Sequence, residues 1–187
     1  MRLVREADVT PVPWRNGGGL TRELLAWPSP NDWRLRLSVA DVAQDGPFSS
    51  YPGVTRVFAV LHGAGVVLDF AGATHTVRPG DAPLVFDGEA APGCRLLDSP
   101  VRDFNLMARG GRCALLPVEA APWHPPRGAR AGLFVRVAGT WRAGAESRLL
   151  SAHTLLFTDA AAGRWTFQPH QPTAQAGWWF FHEDTNP

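Results

Sequence analysis

Trp33-Arg34-Leu35-Arg36-Leu37-Ser38-Val39-Ala40 alternates apolar and polar residues without a break. Trp33, Leu35, Leu37 and Val39 fall on one face, and Arg34, Arg36 and Ser38 on the other. That period of two predicts a half-buried strand. Further runs rich in Val, Leu, Phe and Trp lie on the C-terminal side, cut short by glycine and proline. Strands are predicted at 56–62, 66–70, 74–78, 84–86, 94–97 and 101–108, with a Pro79-Gly80-Asp81 turn among them. Their close spacing, with no interposed helical pattern, indicates an all-β sandwich or barrel.

From 117 to 130 the pattern stops. Pro117, Pro122, Pro125, Pro126 and Gly128 exclude a central strand there, because each proline removes a ladder donor. The stretch reads as a crossover between two halves, at 1–116 and 131–187. A smaller second set of strands is expected at 133–137, 154–158, 164–167 and 178–181. Short helices are allowed around 159–162 and in the first ten residues.

Composition narrows the function. The 187 residues carry a net charge of +1, and all 18 basic residues are arginine. They are dispersed, which disfavours a nucleic-acid partner. Cys94 and Cys113 form no CxxC pair and are too few for a disulfide scaffold. The first six residues lack the apolar core of a signal peptide, and no apolar stretch approaches the roughly 20 residues that span a bilayer. A cytoplasmic protein with no membrane partner is expected; a homodimer is allowed.

The six histidines (His62, His75, His124, His153, His170 and His182) include no H-x-H pair, and none has the close acidic partner expected of a barrel metal site. His62 and His75 could meet across adjacent strands, but two imidazoles make a poor site. The reading is metal-free and cofactor-free. Serine or cysteine nucleophiles have no flanking signal either.

Gly17-Gly18-Gly19 is more informative. Without lysine it is no phosphate loop. It reads either as a flexible loop or as a close approach that brings Asn16, Thr21 and Arg22 to a pocket rim. Arg56 opens a strand after a Pro-Gly turn, and Asp103 and Asn105 share a face of theirs. Arginines with hydroxyls and an amide would suit a carboxylate ligand. Alternatively, Asp103 and Glu23 neutralise these arginines as structural ion pairs.

Taken together, these motifs resemble a known family. Pro13-Trp14-Arg15-Asn16-Gly17-Gly18-Gly19-Leu20-Thr21-Arg22-Glu23 is similar to the opening signature of the HutD/Ves family. Leu35 to Ala40, Asp45 to Arg56 and Asp103-Phe104-Asn105-Leu106-Met107 follow in the family's order. The resemblance covers roughly residues 11–110. It implies a bicupin-like fold, with an N-terminal cupin half and a degenerate C-terminal one. It also implies a tie to histidine utilisation, through binding of an intermediate such as formylglutamate or urocanate. On that basis Arg22 and Arg56 are expected to hold a ligand carboxylate. Asn16, Thr21, Ser38 and Asn105 are expected to add hydrogen bonds, with Trp14 and Phe48 as apolar walls. The alternative is a metal-independent hydrolase or isomerase with Asp103 or Glu23 as general base. A third alternative is a protein–protein adaptor acting through Trp178-Trp179-Phe180-Phe181, although the alternation of that segment favours core packing.

Overall fold

The computed structural model describes residues 1–184, and these are almost entirely β, with two three-residue 3-10 turns at Glu6–Asp8 and Gly88–Ala90. Two compact units divide the chain. One is Thr10–Gly110; the other combines Met1–Val9 with Gly111–Pro187.

In the Thr10–Gly110 unit a six-stranded antiparallel sheet runs, in spatial order, Val12–Pro13, Gly19–Trp27, Leu35–Val42, Val101–Arg109, Val54–His62 and Leu84–Asp87. A four-stranded sheet of Gly46–Pro47, Gly93–Leu96, Val66–Phe70 and Ala73–Val77 lies against it. Val42, Phe58 and Val60 of the first sheet share one buried cluster with Val66, Leu68 and Cys94 of the second. Two sheets packed through such a cluster make a sandwich. Among the described residues no sheet closes on itself.

The other unit repeats the plan. Its five-stranded sheet contains Arg2–Arg5, Thr154–Thr158, Arg130–Val135, Gly177–Glu183 and Arg112–Pro117, and its three-stranded sheet contains Glu146–Leu150, Gly139–Ala143 and Trp165–Pro169. Trp141 and Trp165 from the smaller sheet pack with Trp179 and Leu133 from the larger. Trp178, Trp179, Phe180 and Phe181 are all buried, so this segment is core and offers no docking surface. The prolines of 117–130 leave one isolated bridge, Trp123 with Trp165.

Three local expectations are corrected. The strand of the opening motif starts at Leu35, so Trp33 lies before it. Trp33 packs with Met107, Val54 and Tyr51 instead of sharing the face of Leu37. Residues 159–162 form no helix; Gly163 follows at a φ of +78°. His62 and His75 do not face each other across neighbouring strands, because they belong to different sheets.

Candidate functional site

Antiparallel register assembles the site on one face of the six-stranded sheet. Thr21 stands opposite Ala40, and Ala40 opposite Asp103. Glu23 pairs with Ser38, which pairs with Asn105. Met107 pairs with both Arg36 and Arg56. Since alternate residues of a strand share a face, these rungs send their side chains to one side, where they line a cavity of about 860 Å³. Trp14, Arg15 and Asn16 from the glycine segment and Phe48 and Tyr51 from the 48–51 loop complete the wall.

The glycine segment is a built rim. Gly17 takes a φ of +72°, a left-handed conformation that favours glycine. At Gly19 a side-chain carbon would run into the Asp41 carbonyl oxygen and the Trp14 ring. Trp14 Nε1 donates to Thr21 Oγ1 at 2.7 Å, and Asn16 Oδ1 accepts from the Gly18 N–H at 3.0 Å. The tight turn therefore presses the indole against the strand it precedes.

Arg56 is the centre of the site. It is only 6% exposed, and its guanidinium carbon lies 4.7 Å from the Phe48 ring centre and 5.1 Å from that of Phe86. Desolvated contacts of this kind contribute about 0.5–2 kcal/mol each. Arg56 Nη2 donates to Asn105 Oδ1 at 2.7 Å, while its buried Nε has no hydrogen-bond partner among the described residues. A buried polar group without a partner costs about 1–3 kcal/mol, so the Arg56 side chain is held in place at a cost that its ring contacts and its bond to Asn105 offset. Burial lowers the Arg56 pKa and nearby Asp103 raises it, with burial dominant.

Asp103 is close enough to Arg56 for their charges to interact. Burial pushes its carboxyl up to about 7, against the lowering influence of Arg56 and of the Asn105 hydrogen bond. Asn105 Nδ2 donates to Asp103 Oδ1 at 2.6 Å. Across the cavity wall, Arg36 Nε lies 2.7 Å from Glu23 Oε2. The lining thus offers two carboxylates and no histidine, and no group of three potential metal ligands occurs among the described residues. That lining lacks the imidazole and thiolate ligands typical of a zinc site.

Seven of the eight expected ligand residues line this one cavity: Trp14, Asn16, Thr21, Ser38, Phe48, Arg56 and Asn105. Arg22 does not. One residue along the strand from Thr21, it points to the opposite face, where Nη1 donates to Asp41 Oδ2 at 2.6 Å. Arg102 donates to the other oxygen of Asp41 at 2.6 Å. Burial raises the Asp41 pKa, but the bonds from Arg102 and Arg22 outweigh it and hold the carboxyl below its ordinary value. Sequence reasoning missed Arg36 and Phe86. Period-two spacing from Ser38 could have found Arg36; nothing local marks Phe86, which reaches Arg56 through strand pairing.

The HutD family model matches residues 6–175. The chain is 34% identical over 151 residues to Protein Ves of Citrobacter koseri, covering 78% of each protein. It is 37% identical over 110 residues to an uncharacterised 21.2 kDa protein of the hutC 3' region in Pseudomonas putida, covering 57% of each. Among solved structures, HutD from Pseudomonas fluorescens SBW25 (formate condition) is 28% identical with a TM-score of 0.78, over 97% of this chain and 96% of that one. A variant of oxalate decarboxylase from Bacillus subtilis is only 9% identical, yet its TM-score is 0.68 over 100% of this chain and 78% of that one. That second likeness speaks for the fold alone, which is of the cupin type. A family model that spans most of the chain, and the Ves and HutD likenesses with it, place this protein in the HutD/Ves family.

Proposed function

We propose that this protein is a metal-free binder of a small carboxylate and acts in the cytoplasm as a regulator or accessory of histidine utilisation. One observation carries the reading: Arg56 lines the cavity almost fully buried, 4.7 and 5.1 Å from the Phe48 and Phe86 ring centres, and its printed side-chain bond goes to the Asn105 amide and to no carboxylate. A carboxylate accepts two parallel bonds from such a planar fork. Ser38, Asn16 and Asn105 line the same cavity and can add hydrogen bonds. The link to histidine utilisation is supported by the HutD family model and by the printed name of the Pseudomonas putida relative. Formylglutamate and urocanate, both carboxylates, are the ligands to try.

Calorimetric titration with each compound tests the reading. Saturable binding by the wild-type protein is expected, weakened about 10–100-fold in Arg56→Ala, as suits the loss of a charge-assisted pair worth about 1.5–3 kcal/mol. No saturable binding at millimolar ligand would sink the assignment.

A second reading, catalysis on the same carboxylate, is favoured by Asp103 alone. A buried carboxyl that titrates near neutrality is suited to general acid–base work. Glu23 is already paired with Arg36 at 2.7 Å. Turnover of either compound that disappears in Asp103→Asn would establish it.

A further inference from the structure

Asp103, Asn105 and Arg56 form one unbroken chain of carboxylate, amide and guanidinium. The two bonds, 2.6 and 2.7 Å long, fix the amide in one orientation. Arg56 has only donors, so Oδ1 must face it; Nδ2 is then left for Asp103. Asp103 is 1% exposed. Its charged neighbours come from every side. Arg56 favours its ionised form and Asp41 opposes it. The Cys94 thiol, on a strand of the facing sheet, feels the charge of both Asp103 and Arg56. Glu23 and Arg36 face the same cavity as a pair, and Asp41 is already committed to Arg22 and Arg102.

In the ligand-free site, one buried cation and one buried anion cancel. An anion placed on Arg56 would leave two negative charges sharing one positive charge in a desolvated place. Removing the surplus charge costs less than keeping it there.

We propose that Asp103 is the counter-charge of Arg56 in the free protein and takes up one proton from solvent when a carboxylate binds Arg56. The neutral acid keeps its bond from Asn105 through the carbonyl oxygen. Asp103 is thereby a positioning residue, acting on the ligand through Asn105 and Arg56. Its ordinary range is shifted far enough by burial, to about 7, for the exchange to fall near neutral pH. The proposal rests on the carboxylate-binding reading and adds a proton to it.

Formylglutamate is the better probe, because its carboxyls stay ionised near neutral pH whereas an imidazole titrates there. Titration calorimetry at pH 6 to 8.5, in buffers of different ionisation enthalpy, counts the protons exchanged. The wild-type protein should take up close to one proton per ligand above about pH 7. Its affinity should weaken there by up to about tenfold per pH unit, as one-proton linkage requires. Asp103→Asn should exchange no proton and bind independently of pH.

Binding with no proton uptake overturns the proposal and leaves carboxylate binding standing. Uptake that persists in Asp103→Asn belongs to another group and also overturns it. Absence of binding at every pH removes both. Should Asp103→Asn fail to fold, infrared difference spectra of the wild-type protein decide the matter. Ligand addition should raise a protonated-carboxyl band, and its absence counts against the proposal.

Discussion

Arg22, Arg36 and Arg102 each have a carboxylate oxygen within 2.7 Å, whereas Arg56 bonds to the Asn105 amide. An arginine already satisfied by a carboxylate must give up that pair before it can take a ligand, and among the described residues Arg56 has no such direct pair to give up. This difference separates two residues that look equivalent in the sequence. Arg22→Ala should leave formylglutamate affinity within about twofold of wild type, since its side chain lies on the far face of the sheet. The same variant should cost about 1 kcal/mol or less in denaturant melts, the usual worth of a partly exposed ion pair. A large loss of affinity in that variant would contradict the placement of Arg22 outside the site.

At the scale of the element, the Gly19–Trp27 strand carries an irregularity between Glu23 and Leu25 that turns its faces over. Before it, Thr21 and Glu23 face the cavity; after it, Leu25 pairs with Leu37 and Ala26 with Arg36. Leu24 and Leu25 at the irregularity are both buried. A bulge is a common way to re-aim side chains beside a site. The glycine turn that leads into this strand is fixed by close approach more than by freedom of rotation. Gly19→Ala should therefore destabilise the protein by about 1–3 kcal/mol, the range for overpacking. It should also shift the environment of Trp14, read by the change in tryptophan fluorescence on ligand addition. An unchanged melting temperature would show that the turn yields more easily than its contacts indicate.

For the whole molecule, pH is the informative variable, because Asp103 and Asp41 pull stability in opposite directions. Asp103 is raised from 3.8 to about 7 in the folded protein. The native state therefore holds the proton more tightly, and this group's contribution to stability declines as pH rises from about 4 to about 7. Asp41, lowered below 3.8, stabilises above its unfolded value and loses that effect as pH falls through its depressed one. Comparing Asp103→Asn with wild type isolates the first effect: the variant should gain in melting temperature relative to wild type between pH 4 and pH 8. A constant difference across that range would mean that Asp103 is not perturbed.

Local chemistry made much of this legible beforehand. Alternation in Leu35 to Ala40, strands cut by glycine and proline, and the prolines of 117–130 were enough for an all-β chain of short strands, because strand period and proline's missing donor are properties of the backbone itself. The ordered motifs carried the family. Adjacent side chains in Thr21-Arg22 or Arg102-Asp103 face opposite ways, and only the pairing of their strands says which way is the cavity. Tertiary packing alone turned Arg22 to the far face, brought in Phe86 and Arg36, and buried Asp103 within reach of the Arg56 charge. The reason is physical: a residue's type fixes which charge or bond it can offer, while desolvation and the company of other strands decide whether that offer is open.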